Sequence, residues 1–275
     1  MVLQPIIFTD LDGTLLEHET YSFSAAMPAL ERISARHIPL VFCSSKTRAE
    51  IEIWRKRLGN HDPFIPENGG GIFMPVSYFP ENDISGPWPK AEIIDGYCVV
   101  ILGTPYPVLR RALEDLRRNG FDVKGFGDMS VSEVTEVTGL SCKEAELAKR
   151  REFDETFIFH GGKGEIEALL RSIREKGLRF AQGRFYHLMG DHDKGKAVEI
   201  LKRLYQRKFG DIITLALGDS PADVPMLERA DYAVLVRNYR GVHEPAIGVP
   251  NLIRTEGVGP EGWNKAILEL LGEGF

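Results

Sequence analysis

The chain has 275 residues, more than the roughly 100 to 200 residues of a typical domain, which indicates two domains. Its composition, 43% apolar and 27% charged residues, is typical of a globular protein with a packed interior. The net charge of −6 is spread over the chain without a long basic run, which argues against nucleic acid or an anionic membrane as the main partner.

Three scattered cysteines, Cys43, Cys98 and Cys142, lack the spacing of a structural zinc site or a disulfide framework and fit a reducing compartment. No apolar stretch approaches the roughly 20 residues that a membrane helix needs. The first predicted strand begins after a few residues, which leaves no room for a signal peptide. We therefore expect a cytoplasmic monomer or homodimer.

The first motif follows an apolar run, Ile6–Phe8, which predicts a short buried strand. Asp10-Leu11-Asp12-Gly13-Thr14 comes at its end. Residues i and i+2 of an extended chain point to the same side, so Asp10 and Asp12 are expected to project together where open α/β sheets bind ligands. Two carboxylates so close repel each other, which favours either a divalent cation between them or protonation of one carboxyl. A shared cation leaves one carboxylate as an anionic nucleophile, and a raised pKa makes the other a proton donor. The alternative is a turn that caps a helix.

A second strand, Leu40–Cys43, follows a predicted helix and precedes another, the order of a parallel βαβ unit. Ser44 lies at its carboxyl end, where its hydroxyl is a candidate ligand for a phosphate oxygen. Ser45 and Lys46 lie at a helix amino terminus, where free N–H groups and the helix dipole favour an anion. The alternative is that the two serines only cap the helix.

Glu67 and Asn68 precede three glycines, beginning with Gly69. Such a run permits close approach of the backbone to a ligand, although a plain hairpin turn uses the same residues. We include Glu67, Asn68 and Gly69 in the predicted substrate site. The following stretch, 75–89, is rich in proline, asparagine and aromatic residues and is interpreted as a crossing between domains.

Short strand-like runs and polar helices alternate from about residue 92 to residue 190. The predicted strands are Tyr97–Leu102, Phe121–Phe126, Glu155–His160, Leu178–Ala181 and Arg184–Met189, and the predicted helices are Pro107–Asn119, Val131–Thr138, Ser141–Arg150 and Glu165–Lys176. They favour an antiparallel sheet backed by helices. The predicted fold is therefore α/β, a Rossmann-like parallel-sheet core (1–84 and 191–275) with an inserted α+β cap (85–190).

The core resumes at Lys194, and a later strand, Ile212–Leu217, ends at Gly218-Asp219. Asp219 repeats the arrangement of the first motif, and Asp223 can reach the same space from the start of a helix. Together with Asp10 and Asp12 they form a predicted set of oxygen ligands of the kind that Mg²⁺ prefers. At about 4 Å and an effective dielectric near 20, each like-charged pair costs on the order of 4 kcal/mol, which makes a metal close to obligatory.

Residues 190–196 also match the phosphate-loop pattern GxxxxGK after a strand and before a helix. Ala197 stands where the metal-binding Ser or Thr of that loop belongs, and Asp191 and Asp193 would oppose a triphosphate. A nucleotide triphosphatase is therefore disfavoured.

The motif Asp10–Thr14 resembles the first signature of the haloacid dehalogenase superfamily of phosphotransferases. The resemblance implies that Asp10 attacks phosphorus, that Asp12 serves as acid and base, and that Ser44 binds a phosphate oxygen. It also implies Lys194 as the catalytic lysine, because Lys194 precedes a glycine at the start of a helix; Lys196 is the alternative.

The likeness extends to a family within this superfamily, the mannosyl-3-phosphoglycerate phosphatases. It rests on Ser45–Arg48, Pro66–Gly71, Thr138–Ser141, Arg151–Glu155 and Gly259–Trp263. Ala222 and Arg237 depart from the family pattern. The resemblance implies Mg²⁺-dependent hydrolysis of mannosyl-3-phosphoglycerate to mannosylglycerate, a compatible solute, through an aspartyl phosphate.

Two polar residues of the cap, Arg184 and His187, are candidates for contact with this sugar-glycerate substrate, although on an alternating strand they need not face the same way. The alternatives for function are a glucosyl-3-phosphoglycerate or general sugar-phosphate phosphatase, a phosphomutase, and a catalytically silent binding module.

Overall fold

The computed structural model of the protein describes residues 3–244, 248–249 and 252–272, without the side chains of residues 81, 82 and 163. The strands are β1 (Gln4–Thr9), β2 (Leu40–Cys43), β3 (Phe64–Ile65), β4 (Gly71–Pro75), β5 (Glu92–Ile94), β6 (Tyr97–Ile101), β7 (Val123–Gly125), β8 (Asp154–Phe159), β9 (Arg179–Gln182), β10 (Tyr186–Met189), β11 (Ile212–Gly218), β12 (Tyr232–Arg237) and β13 (Ile253–Val258). The α-helices are α1 (Met27–Ala35), α2 (Arg48–Leu58), α3 (Glu81–Ile84), α4 (Tyr106–Arg118), α5 (Val131–Thr138), α6 (Cys142–Ala148), α7 (Lys163–Glu175), α8 (Lys194–Phe209), α9 (Val224–Leu227) and α10 (Gly259–Leu270). Within these ranges, every helix is too short or too polar to cross a bilayer.

The larger sheet of the described chain has nine strands in the order β13-β12-β11-β1-β2-β3-β4-β6-β5. The strands from β13 to β3 run parallel, and β4, β6 and β5 are antiparallel. At the end of β1, Thr9 lies opposite Leu217 of β11 on one side and Phe42 of β2 on the other. The carboxyl ends of β1, β2 and β11 therefore meet at one edge of the sheet, where ligands bind in folds of this kind.

Strand β1 is apolar because helices cover both faces of the sheet. Ile6 and Phe8 belong to an apolar cluster with residues of α8, and Ile7 belongs to the cluster on the opposite face with Trp263 of α10. The indole N–H of Trp263 donates to the hydroxyl of Thr9 (3.0 Å). Helix α10 is thus anchored to the last residue of the strand that carries Asp10.

The smaller sheet is antiparallel in the order β7-β8-β10-β9, and α4 and α7 contribute to its apolar cluster. The centre of this cluster is formed by Leu113, Phe157, Leu169 and Leu188, all fully buried. The predicted fold class, a parallel α/β core with an inserted antiparallel α+β unit, is confirmed.

The start of the inserted unit differs from the prediction. Strands β5 and β6, within the range assigned to the cap from residue 85 onward, pair with β4 and extend the core sheet. Val99 of β6 is buried in one core cluster and Val100 in the other, because successive residues of a strand point to opposite faces of the sheet. Assigning the strand Tyr97–Leu102 to the cap was wrong, and we propose that the cap begins near residue 103.

Candidate active site

Three aspartates come together where β1 and β11 end. Asp10 follows β1, and its backbone N–H donates to the carbonyl of Leu217 in β11 (2.9 Å). Asp219 follows β11 directly, and Asp223 precedes the short helix α9. One carboxylate oxygen of each aspartate lies within 4.8 Å of the other two. The structure therefore joins Asp10, Asp219 and Asp223, as predicted from two neighbouring strand ends and the start of a helix.

Lys194 places a cation inside this acidic group. It is the first residue of α8 and only 2% exposed, and its Nζ donates to Oδ1 of Asp10 (2.7 Å) and Oδ1 of Asp223 (2.6 Å). Lys196 points away, to the carbonyl and the carboxylate of Asp191 (2.9 and 3.0 Å). Lys194 is therefore the lysine of the site, and the alternative Lys196 is wrong.

Residues of the first motif hold Asp219 in place. Gly13 has φ +79°, and a Cβ at this position would lie 2.6 Å from Oδ2 of Asp219. The hydroxyl of Thr14 donates to Oδ1 of the same carboxylate (3.2 Å). Glycine is thus required here both for its backbone conformation and for the close approach of Asp219.

Asp223 is oriented by the loop that follows β11. Its Oδ2 accepts the backbone N–H groups of Asp219 (3.1 Å) and Ser220 (3.0 Å) and the hydroxyl of Ser220 (2.7 Å). Its Oδ1 accepts from Lys194. Oδ2 of Asp223 therefore binds the loop, and Oδ1 of Asp223 binds Lys194 in the site.

The charges of this group fit a divalent cation. Burial raises the pKa of Asp10 to about 7 despite the attraction of Lys194. The pKa of Asp219 is raised well above its usual value by burial and by repulsion from Asp10 and Asp223. Burial would lower the pKa of Lys194, but the two neighbouring carboxylates outweigh it and raise that pKa. Three carboxylates against one ammonium leave an excess of negative charge on hard oxygen donors, the donor set that Mg²⁺ prefers.

The family of the protein follows from a comparison with known families. The model of the haloacid dehalogenase-like hydrolases matches residues 7–85 and 163–241. The chain belongs to the haloacid dehalogenase-like hydrolases. Both matched segments meet at the acidic group, since the first contains Asp10 and the second contains Lys194, Asp219 and Asp223.

Close relatives of this hydrolase are phosphatases. A glucosyl-3-phosphoglycerate/mannosyl-3-phosphoglycerate phosphatase of Methanococcoides burtonii is 44% identical over 273 residues, which cover 98% of both chains. A protein of Persephonella marina with the same name is 41% identical over 98% of this chain and 97% of its own. A crystal structure of a Thermoplasma acidophilum protein shares the fold, with a TM-score of 0.68 and 16% identity over 98% of this chain and 99% of that one. The predicted class, a phosphoric monoester hydrolase, is confirmed.

Asp12 of this hydrolase stays outside the acidic group. The chain turns directly after β1, since the N–H of Gly13 donates to the carbonyl of Leu16 (2.8 Å) and the N–H of Leu16 to that of Leu11 (2.8 Å). Oδ2 of Asp12 pairs with Nζ of Lys46 (2.9 Å), and its Oδ1 is buried without a hydrogen-bond partner among the described residues. The predicted carboxylate ligand Asp12 is therefore wrong, because the alternation of side chains holds only for an extended chain.

Ser44 lies at the sheet edge that carries Asp10, as predicted. Helix α2 is capped by Thr47, whose hydroxyl accepts the N–H of Glu50 (3.2 Å), so capping does not account for Ser44 and Ser45. Ser44 is buried, and its hydroxyl oxygen accepts the N–H of Lys46 (3.2 Å). The hydroxyl proton of Ser44 remains available to a phosphate oxygen, and this contact stays a prediction.

Glu67 connects the two domains instead of facing a substrate. It is fully buried, and its carboxylate accepts the backbone N–H groups of Glu152 (2.9 and 3.1 Å) and Phe153 (2.7 Å). Burial raises the pKa of Glu67 to about 8, although the nearby Arg151 opposes this shift. Because protein groups occupy the carboxylate, the prediction that Glu67 binds substrate is wrong.

Asn68 and Gly69 also pack against protein. The amide of Asn68 donates to Oδ2 of Asp154 in β8 (3.1 Å). A Cβ on Gly69 would lie 2.2 Å from the carbonyl oxygen of Asp193. The glycines thus permit close approach of a backbone, as the sequence indicated, but the approaching group is the protein's own chain. The substrate-binding role of Asn68 and Gly69 was wrong for this reason.

Arg151 is a positioning residue that sequence reasoning did not single out. Its guanidinium is buried and donates to the carbonyls of Asp154 (2.8 Å) and Ser45 (2.9 Å), and its Nε lies 4.0 Å from Oε2 of Glu67. Arg151 therefore ties the inserted unit to the loop that holds Ser44 to Lys46. The only signal in the sequence was its place in the motif Arg151–Glu155.

The two cap candidates lie in different environments. His187 of β10 is buried, and its Nδ1 pairs with the carboxylate of Asp154 (2.9 Å). Arg184 lies in the exposed turn before β10, with its guanidinium 5.4 Å from the ring centroid of Phe185. Arg184 and His187 both remain candidates for substrate contact, and Nδ1 of His187 is already paired with Asp154.

Proposed function

We propose that this hydrolase is a Mg²⁺-dependent phosphatase that converts mannosyl-3-phosphoglycerate to mannosylglycerate and phosphate and accepts the glucosyl analogue at the same site. The observation that carries the proposal is the pair of Asp10 and Lys194 beside Asp219 and Asp223, in a chain 44% identical to a phosphatase named for both substrates. A cytoplasmic location and a monomeric or homodimeric state stay predictions.

In the first step, a carboxylate oxygen of Asp10 attacks phosphorus, and the bond from phosphorus to the glycerate oxygen breaks. Asp12 protonates that leaving oxygen, and an aspartyl phosphate forms on Asp10. Lys194 holds Oδ1 of Asp10 at 2.7 Å, which orients the nucleophile and compensates charge at the reacting group. Asp12 is suited to proton transfer because its carboxylate lies outside the acidic group.

In the second step, Asp12 takes a proton from water, and the resulting hydroxide attacks the phosphorus of the aspartyl phosphate. The bond from phosphorus to Asp10 breaks, which restores the carboxylate and releases phosphate. Asp10, Asp219 and Asp223 would hold Mg²⁺, which supplies positive charge that keeps Asp10 ionised and neutralises the phosphoryl oxygens. Ser44 is proposed to bind one of those oxygens.

The nucleophile is tested with Asp10→Asn, which removes the attacking oxygen's charge. We expect turnover to fall by at least about a thousandfold with the fold intact by circular dichroism. Asp191→Asn is the control, because Asp191 is an exposed carboxylate in the loop before Lys194. Near-normal turnover of a folded Asp10→Asn protein would refute the assignment.

The substrate is tested by measuring phosphate release with Mg²⁺ present. Mannosyl- and glucosyl-3-phosphoglycerate are expected to exceed simple sugar phosphates in kcat/KM. A general sugar-phosphate phosphatase would show no such preference, and a phosphomutase would yield an isomerised product that retains its phosphate. Absence of metal-dependent activity on every ester would leave only a binding module.

A further inference from the structure

A relay of two buried hydrogen bonds leads from helix α10 to the backbone of Asp10. The indole N–H of Trp263 donates to the hydroxyl oxygen of Thr9 (3.0 Å), and this hydroxyl donates to the carbonyl oxygen of Asp10 (2.8 Å). Trp263 and Thr9 are fully buried, and Asp10 is 6% exposed. Nothing in the reaction described above uses the side chain of Trp263 or of Thr9.

The hydroxyl of Thr9 replaces a hydrogen bond of the sheet. Strand β1 ends at Thr9, and the N–H of Asp10 still pairs with the carbonyl of Leu217 in β11 (2.9 Å). Among the described residues, however, no backbone N–H donates to the carbonyl of Asp10. Because a buried carbonyl without a donor is costly, the hydroxyl of Thr9 stabilises this peptide group. It also fixes the orientation of the peptide plane that follows Asp10.

Trp263 determines the direction in which this hydroxyl donates. A hydroxyl group has one proton to donate and lone pairs that accept. Since the indole N–H of Trp263 occupies the acceptor side of the Thr9 oxygen, the proton is directed to the carbonyl of Asp10. Without the indole N–H, rotation of the hydroxyl about its C–O bond would be less restricted.

Helix α10 holds this indole in a fixed place. The helix packs closely on the loop before it, since a Cβ on Gly262 would lie 2.3 Å from the carbonyl oxygen of Gly257. It is also tied to α1, because Oδ1 of Asn264 accepts the N–H of Ala29 (2.9 Å). The ring of Trp263 lies in the apolar cluster on that face of the core sheet. The donor of the relay is therefore positioned by several elements of the core.

We propose that Trp263 and Thr9 are positioning residues for Asp10. Lys194, at the start of α8, holds the carboxylate of Asp10. Trp263, in the helix on the other face of the sheet, holds the carbonyl of Asp10 through Thr9. The peptide plane after Asp10 sets the direction of its side chain, so the relay aims the carboxylate at the reacting phosphorus and at the metal site. The effect on turnover rests on the proposed function.

Three substitutions test the relay without changing a charge. Thr9→Val removes the hydroxyl at nearly constant volume, whereas Thr9→Ser keeps it. Trp263→Phe removes the indole N–H and keeps an aromatic ring. The double variant combines Thr9→Val with Trp263→Phe.

The controls remove comparable hydrogen bonds elsewhere in the core domain. Thr214 is a fully buried threonine near the amino end of β11, and its hydroxyl likewise forms two bonds: it donates to the carboxylate of Asp231 (2.6 Å) and accepts the N–H of the same residue (3.0 Å). Thr214→Val is therefore the control for Thr9→Val. Trp88→Phe is the control for Trp263→Phe, because the indole N–H of Trp88 also donates to a buried partner, a backbone carbonyl (2.9 Å).

Each protein is measured by steady-state hydrolysis of mannosyl-3-phosphoglycerate, by calorimetric titration with Mg²⁺ without substrate, and by urea unfolding. Thr9→Val is expected to lower kcat about tenfold, with KM changed by less than about twofold, because the nucleophile is displaced while the substrate contacts remain. The Kd of Mg²⁺ should rise by a similar factor, since Asp10 is one of its proposed ligands. Thr9→Ser should retain the kcat and Kd of the wild type, and Trp263→Phe should change both in the direction of Thr9→Val.

The double variant distinguishes positioning from packing. Because Trp263 acts on Asp10 through Thr9, Trp263→Phe should change neither kcat nor the Kd of Mg²⁺ any further once residue 9 lacks its hydroxyl. Independent losses of packing would add. The two control variants should lose stability and keep the kcat and Kd of the wild type.

Wild-type kcat and Mg²⁺ affinity in folded Thr9→Val would overturn the positioning role, as would additive losses in the double variant or equal losses in the controls. Should Thr9→Val not fold, Trp263→Phe against Trp88→Phe decides the same question. If the wild type binds Mg²⁺ but hydrolyses neither glycosyl-3-phosphoglycerate, the proposed function is wrong, and the Mg²⁺ titrations still test the relay. A wild type that binds no Mg²⁺ would overturn both.

Discussion

Lys194 shows how a buried charge is compensated in this hydrolase. An ammonium that is 2% exposed is stable only because two carboxylates lie within hydrogen-bond distance. The same bonds orient Asp10, the proposed nucleophile. Lys194 and Asp10 are thus proposed to act in the reaction, and removing either one leaves its partner with an uncompensated charge.

Replacing Lys194 by Met is expected to lower the free energy of unfolding of the metal-free protein by about 3 to 5 kcal/mol, because Asp10 and Asp223 lose their partner. Mg²⁺ should restore more stability to this variant than to the wild type. Urea unfolding with EDTA or with Mg²⁺ measures both effects. Lys196→Met, at the exposed lysine two residues on, should change stability by less than about 1 kcal/mol; equal effects of the two substitutions would contradict the argument.

The raised pKa of Asp10 predicts a dependence of stability on pH. The pKa is about 7 in the folded chain against an ordinary value of 3.8, so between these values the native state holds a proton that the unfolded chain lacks. The resulting stabilisation is complete below about pH 4 and is lost as the pH rises through about 7. In EDTA, wild-type stability relative to Asp10→Asn should fall by about 4 kcal/mol over this range. If the free energies of unfolding of the two proteins in EDTA changed with pH in parallel, a raised pKa of Asp10 would be excluded. With Mg²⁺ present, the difference in stability between the two proteins should depend less on pH.

At the scale of elements, the site depends on the close packing of the connection between β3 and β4 against the start of α8. Gly69 has φ +99°, and its Cα faces the carbonyl of Asp193, the residue before Lys194. A side chain at Gly69 would therefore displace the first turn of α8. The position of the lysine is set by a glycine 125 residues away in the chain.

Gly69→Ala is expected to destabilise the protein by about 1 to 3 kcal/mol more than Gly59→Ala. Both glycines have positive φ, but a Cβ at Gly59 meets nothing within 4 Å, so the difference isolates the steric contact. A shift of Lys194 by about 1 Å should also lower kcat by up to about a hundredfold. Chemical denaturation and steady-state kinetics measure these effects, and equal behaviour of the two variants would remove this packing argument.

At the scale of the whole molecule, the core and the inserted unit each have their own apolar clusters, but Phe153 of the inserted unit is buried in a core cluster. Polar contacts join them, with Arg151 bound to the carbonyl of Ser45 and near the carboxylate of Glu67. These buried charges hold the loop of Ser44 to Lys46 against the inserted unit. Cooperation between the two units therefore depends on these polar contacts together with the packing of Phe153.

Arg151→Met should separate the unfolding of the two units, because it removes the buried hydrogen bond to the carbonyl of Ser45 and leaves Asp154 without its arginine partner. We expect the urea transition to divide into two, or its apparent m-value to fall, and activity to drop with it. Arg150→Met, at the exposed neighbouring arginine, should keep the wild-type transition. A single unshifted transition for Arg151→Met would show that other contacts couple the units.

The sequence by itself determined the fold class, the family and most of the acidic group. Buried strands end in carboxylates at Asp10 and Asp219, and parallel strands carry such ends to one edge of a sheet. The predicted bounds of helix α5, Val131–Thr138, match the observed ones, and in the structure Ser130 caps its start and Gly139 ends it. These features are local, so periodicity and turn residues suffice to find them.

Only the tertiary structure decided which side chains face the site. It separated Asp12 from the acidic group and chose Lys194 over Lys196. It also bound Glu67 to the backbone of Phe153, paired His187 with Asp154, and assigned β5 and β6 to the core sheet. Each of these outcomes depends on a contact with a residue distant in the chain. Asp12 pairs with Lys46, for example, and Glu67 accepts the backbone N–H of Phe153. Local sequence specifies how a segment folds, whereas contacts between distant segments determine the direction and the environment of its side chains.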